Sequence, residues 1–296
     1  MTRPRFAALQ LARFGWQQAL SCLFPAGVFL GLALSRVVPL PVPRYDALLV
    51  WCLLLTVGFW VVGLETWREV LVILGFHLIG LALELFKVHV GSWVYPGGAW
   101  TKVGGVPLFS GFMYAAVGSY ICQAWRRLDL RVSGWRPVPT TLVAVAIYAN
   151  FFTHHWLADL RLLLAAALLV VLRRCVVHYT VGPRRYRMPL ALSFLLIGLF
   201  LWLAENGATF LDAWNYPDQV DVWQAVHVQK LGAWALLVSM SFVLVTTVKS
   251  QEGRLYHVAP DPDGVNPDGV DPVTGPAVPG EPEDPTGHAL RERTRG

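Results

Sequence analysis

Apolar runs approaching the length of a bilayer crossing recur along this chain, and they limit its fold more than any other feature. A spanning helix needs about 17–25 mostly apolar residues. Runs of this kind cover 19–38, 46–64, 70–86, 106–124, 138–153, 157–172, 189–204 and 231–248. The sixth is short and carries Asp159 and Arg161 near its start. In lipid each backbone N–H and C=O must be satisfied within its own segment, so the runs read as helices and not as strands. The expected fold class is therefore all-α, a polytopic membrane protein with about eight transmembrane helices. Composition agrees: 55% of the 296 residues are hydrophobic and 15% charged, outside the range of an ordinary soluble domain.

Charge gives the sidedness. With the N-terminus in the cytoplasm, inner segments carry 15 Lys and Arg up to Arg254, and outer segments carry 6. That bias supports the span count and predicts that both termini are cytoplasmic. The net charge of +5 is spread between apolar spans, which argues against a nucleic-acid surface. The partner expected is the lipid bilayer. Oligomeric state is silent, because lipid-facing and partner-facing apolar surfaces look alike. Cys22, Cys52, Cys122 and Cys175 fall in or beside apolar runs with no metal-type spacing, as buried thiols do. The stretch 251–296 is rich in Pro, Gly and Asp and reads as a disordered cytoplasmic tail.

One polar phrase occurs twice. ELFKVHVGSWVYP starts at Glu84 and ENGATFLDAWNYP starts at Glu205, so the pattern E-x8-W-x-Y-P repeats with an offset of 121 residues. Four expected spans separate the copies, which returns the chain to the same side of the membrane. We read an internal duplication into two parallel four-helix halves, 19–130 and 131–250, after a cytoplasmic segment 1–18. Both phrases are expected on the outer side.

The two acids are the candidates for chemistry. Ionisable groups within a span are costly and usually face a bundle interior or a cavity. Glu84 shares a helix face with His77, seven residues earlier. Glu205 would share one with Asp212 if the helix continues that far. Trp93, Tyr95, Trp214, Tyr216 and Asp212 are expected to line a substrate entrance, although taken alone the aromatics are better explained as interfacial anchors. Several histidines are expected on the same side. His154, His155 and Asp159 lie in NFFTHHWLAD, with His155 and Asp159 at i, i+4. His89 and His227 lie near the two phrases. Histidine with carboxylate suits a transition metal. No HExxH or paired ExxH pattern supports one, and headgroup-bonding histidines are the alternative.

FGWQQALSCLFP, ELFKVHVGSWVYPG with GVPLFSGFMYAAVGSYI, the NFFTHH segment and AENGATFLDAWNYP together resemble a bacterial integral-membrane family catalogued as domain of unknown function 817. The resemblance covers about residues 10–250. It implies a multi-pass bacterial membrane protein and brings no activity with it. The order Glu84, Tyr95, then Gly105-Val106-Pro107-Leu108 is also similar to membrane carotenoid hydratases and cyclases. That similarity implies an acid that protonates an alkene. The second half departs from it, with Val226-His227-Val228 standing where GVPL would be.

Three functions fit these residues. One is an enzyme acting on a lipid or isoprenoid, with Glu84 and Glu205 as acid or base. A second is a transporter or channel whose halves rock about a central site. The third is a scaffold whose polar groups only fix helix packing.

Overall fold

A computed structural model of the chain describes residues 3–219 and 221–251. The expected tail lies outside these residues, save Gln251 at the end of the last helix. The described chain is mostly helical. Its first half runs α1 (Arg3–Ser21), α2 (Leu23–Val37), α3 (Arg44–Val61), α4 (Trp67–His89), a two-residue hairpin β1 (Lys102–Val103) and β2 (Val106–Pro107), and α5 (Gly111–Arg127). Then follow β3 (Arg131–Ser133), α6 (Pro137–Thr153), α7 (Arg161–Leu172), β4 (Val176–Val181), β5 (Arg184–Pro189), α8 (Leu190–Phe210) and α9 (Gln229–Gln251).

Each of the eight expected segments contains a helix. Among the described residues four helices are long and apolar enough to cross a membrane: α3, α4, α8 and α9. A fifth crossing is available if α1 and α2, bent by 61° at Cys22, count as one broken span. The helices α6 and α7 are apolar but shorter. The reading of helices throughout needs correction. Strands β3, β4 and β5 form an antiparallel sheet in that order, with Val181 paired to Arg184 across a Gly182-Pro183 turn. Gly182 takes φ +56°, which the first central position of a two-residue hairpin requires. Four arginines in 184–187 and 131 make this sheet too polar for lipid. It belongs between spans, where the lipid argument against strands does not apply.

Local sequence sets the helix starts. Thr66 and Glu69 close a capping box on α4: Thr66 Oγ1 accepts from Glu69 N–H, and Glu69 accepts from Thr66 N–H. Proline precedes α3 and α8 and opens α6, where a missing N–H costs nothing. Helix α4 packs along α5, and α8 along α9. A side chain at Gly80 would run into the Tyr114 ring, and one at Gly198 into the backbone of Ala235. Each acid-bearing helix thereby lies close against the helix that follows it. One apolar core gathers Phe76, Phe112, Trp125, Phe194 and Phe242. A second gathers Leu32, Tyr45, Trp93, Tyr95, Phe109 and Tyr216 around the two phrases.

Candidate functional site

Glu84 and Glu205 are each 4% exposed. Glu84 lies in the last two turns of α4, and three side chains donate to it. Trp93 Nε1 and Tyr95 OH both reach Oε2 at 2.7 Å, and Tyr114 OH of α5 reaches Oε1 at 2.6 Å. Glu205 lies in the last two turns of α8 and takes two donors. Tyr216 OH donates to Oε1, and Trp234 Nε1 of α9 donates to Oε2 at 2.8 Å. An indole N–H can only donate. Both carboxyl groups therefore act as acceptors, which is the arrangement a buried carboxylate needs.

The two clusters touch. Trp93 and Tyr216 meet edge to face, with ring centroids 5.9 Å apart. Lys230 Nζ lies 4.2 Å from the Tyr216 centroid and 5.9 Å from that of Trp93. Above them the two phrases pair with each other. Val94 and Asn215, the x residues of the two W-x-Y-P copies, form an isolated antiparallel bridge. Val94 N–H donates to Asn215 O at 3.0 Å, and Asn215 N–H donates to Val94 O at 2.9 Å. Equivalent positions exchange equivalent bonds, as they would about a local two-fold axis.

Other polar residues hold this end shut. Asp46 of α3 accepts from the backbone N–H groups of Trp100 and Thr101, at 2.8 and 2.9 Å, and from the Thr101 hydroxyl. Lys102 Nζ donates to the carbonyls of Tyr95 and Gly97. Burial holds this lysine below its ordinary range. Arg44 donates to the carbonyls of Leu211 and Asp212 beyond the end of α8. Sequence reasoning missed Asp46, Arg44 and the donors Tyr114 and Trp234. Asp46 and Arg44 sit where a span merely begins, and the two donors lie 30 and 29 residues beyond their acids.

The expected site residues divide. Trp93, Tyr95 and Tyr216 join the acids, and Trp214 packs at the edge of the same core. Asp212 does not share a face with Glu205. Helix α8 ends at Phe210, and Asp212 turns to φ +52° and pairs with Arg36. The five expected metal ligands are not brought together. Among the described residues no three His, Cys, Asp or Glu side chains could hold a common ion. His89 is exposed at the end of α4, and His227 Nδ1 accepts from Gln229 N–H. His154 Nδ1 faces the carbonyls of Asn150 and Phe151. His155 Nε2 sits 3.0 Å from Lys87 Nζ, which also donates to Phe151 O at 2.9 Å. Burial, then the charges of Lys87 and His154, holds the His155 ring below the usual histidine range. The i, i+4 geometry of His155 and Asp159 fails because α6 ends at Thr153 and α7 begins at Arg161. Asp159 instead accepts from Arg161 N–H and pairs with its side chain at 2.7 Å.

At the opposite end of α4 lies a polar group the sequence did not single out. Glu69 is 2% exposed and pairs with Lys249 at 3.4 Å and Arg126 at 3.5 Å. Glu65 takes Ser119 Oγ on Oε1 at 2.6 Å, and its Oε2 is buried with no hydrogen-bond partner.

Helices of spanning length around two buried, hydrogen-bonded carboxyl groups define a helical membrane protein. The chain belongs to the family described as Protein of unknown function (DUF817), which matches residues 10–242. It is 54% identical over 245 residues to "Uncharacterized protein YoaT" of Bacillus subtilis (strain 168), covering 82% of this chain and 93% of that protein. No solved structure matches it.

Proposed function

We propose that the protein is a multi-pass enzyme of the bacterial cytoplasmic membrane, acting on a lipid or isoprenoid, with Glu84 and Glu205 as its acid–base pair. One observation carries the reading. Tyr114 and Trp234, which donate to the two different acids, line the same cavity. Tyr148 and Phe76 also line it. The cavity holds about 20 Å³, roughly one water, so it serves as the tip of a longer site. Tyr114 is the proton-carrying group between Glu84 and that space. A proton leaving a substrate atom would pass to the Tyr114 oxygen as Tyr114's own proton passes to Glu84 Oε1. The reverse transfer delivers a proton.

The reciprocal Val94–Asn215 bridge and the Tyr donor eleven residues after each acid support two parallel halves, 19–130 and 131–250. The Lys and Arg bias supports eight crossings with both termini cytoplasmic.

Glu84→Gln is the test. The amide oxygen can face Trp93 and Tyr95, while Tyr114, whose hydroxyl also accepts, turns to take the amide N–H. The variant should therefore accumulate in the membrane. Lipid extracts of cells making wild type are expected to contain a species gained or lost relative to cells making Glu84→Gln at equal protein level. Identical extracts would remove the acid from any chemistry. A scaffold is the second reading, favoured by the saturation of Glu84 with three donors. On that reading Glu84→Gln lowers thermal stability and leaves the lipids unchanged.

A further inference from the structure

A surface groove leads toward the cavity beneath the two acids. It runs between α4 and α9, with a volume of about 390 Å³, within the range of small-molecule sites. Its floor on α4 is the stripe Leu71, Val72, Gly75 and Phe76, and its wall on α9 is Leu244 and Val248. The α4 positions recur every three or four residues, so they form one face. Nothing lies within 4 Å of where a Gly75 side chain would begin, and this leaves the middle of the groove open. From Trp67 to Ile79 the groove follows the helix for about 18 Å. Its far end shares Phe76, Ile79 and Leu244 with the cavity under Tyr114 and Trp234.

The mouth has a different chemistry from the floor. Trp67 is 59% exposed at the first residue of α4, a place where indoles mark the headgroup level of a bilayer. The exposed Arg68 guanidinium lies over the Trp67 ring at 5.4 Å. Its neighbour Glu69 points the other way, into the pairs with Lys249 and Arg126. The mouth thus presents a cation and an amphipathic ring, and the remainder presents hydrocarbon.

We infer that this groove is the entry for a lipid with a phosphate headgroup, which Arg68 holds while its chain lies along α4 with its end beneath Tyr114 and Trp234. This names the substrate class of the site proposed above and rests on that reading. An arginine suits a phosphate because its planar fork bonds two oxygens at once. A neutral lipid leaves Arg68 unused, and a free anion leaves the 18 Å of apolar floor unused.

The experiment uses full-length protein in nanodiscs with two photoreactive probes carrying a diazirine near the chain end. One is a phosphatidic acid and the other the matching diacylglycerol. Mass spectrometry maps the adducts. Phosphatidic acid is expected to label 71–79 and 244–248 above the other helices. Arg68→Gln should cut that labelling about fivefold, the loss of one interfacial cation, and leave the diacylglycerol signal unchanged. Gly75→Trp, which fills the groove, should remove labelling by both probes while the thermal midpoint holds. Excess inorganic phosphate should not compete. Even labelling around all helices, indifference to Arg68→Gln, or competition by inorganic phosphate would each overturn the inference. Glu84→Gln keeps the two proposals apart. Groove labelling that persists with no change in cellular lipids defeats the enzyme and leaves the groove. A lipid change with labelling indifferent to Arg68 defeats the groove alone.

Discussion

Glu84 and Glu205 stand in the same phrase and end the same kind of helix, yet their surroundings differ. Each receives a hydroxyl from the tyrosine eleven residues on. Beyond that, Glu84 gains an indole from its own loop and a second hydroxyl from α5. Glu205 gains one indole, supplied by Trp234 of α9. The repeated phrase therefore guarantees one donor, and the packing of the next helix decides the rest. A third acid, Glu65, extends the series downward, with one hydroxyl and one buried oxygen unpartnered. Donor number is the variable to manipulate.

The largest effect should come from removing the acids outright. Glu84→Ala orphans three buried donors and should cost about 3–5 kcal/mol of stability. Glu205→Ala should cost roughly 1 kcal/mol less, in line with its one fewer donor. Denaturation midpoints in detergent check the order, and a larger loss at Glu205 would break the comparison. Next comes the bridge. Asn215→Pro deletes the N–H that Val94 O accepts and should cost about 2–3 kcal/mol. Hydrogen exchange should show both clusters loosening together. Loosening confined to the second would mean that the two are independent.

Glu65 tests the series by pH. Burial, then the neighbouring Glu69, raises its carboxyl from an ordinary 4.5 to about 7. A raised carboxyl contributes stability that is full below its unfolded value and lost as pH rises through its folded value. Between pH 5 and 8 the stability should therefore fall, by on the order of 2 kcal/mol, read as a falling denaturation midpoint. Glu65→Gln should flatten that slope. Single donors give the smallest effects. Tyr114→Phe should cost about 1 kcal/mol, less than Trp234→Phe, because Glu84 keeps two donors where Glu205 would keep one.

Much of this arrangement was legible in the sequence, and the failures have physical causes. The acids and the tyrosines belong to one local phrase, so spacing alone brought them together. Tyr114 and Trp234 reach the acids because Gly80 and Gly198 let neighbouring helices approach, and no local pattern encodes that approach. The metal reading failed on scale: one side of a membrane protein is far wider than a coordination sphere. Sidedness could not tell that His155 would meet Lys87 and Asp159 would meet Arg161. The basic hairpin carried its Gly-Pro turn in plain view, but a reading tuned to apolar runs treats everything between them as loop.

The Val94–Asn215 bridge also has a consequence in time. Its two strands lie 121 residues apart in the chain. At synthesis rates of 5–20 residues per second, the second partner emerges roughly 6–24 s after the first. For that interval the first loop holds an N–H and a C=O with no mate, and Trp93 has no Tyr216 to rest against. The loop of Val94 cannot complete this roof by itself. The roof can close only after Asn215 has been made.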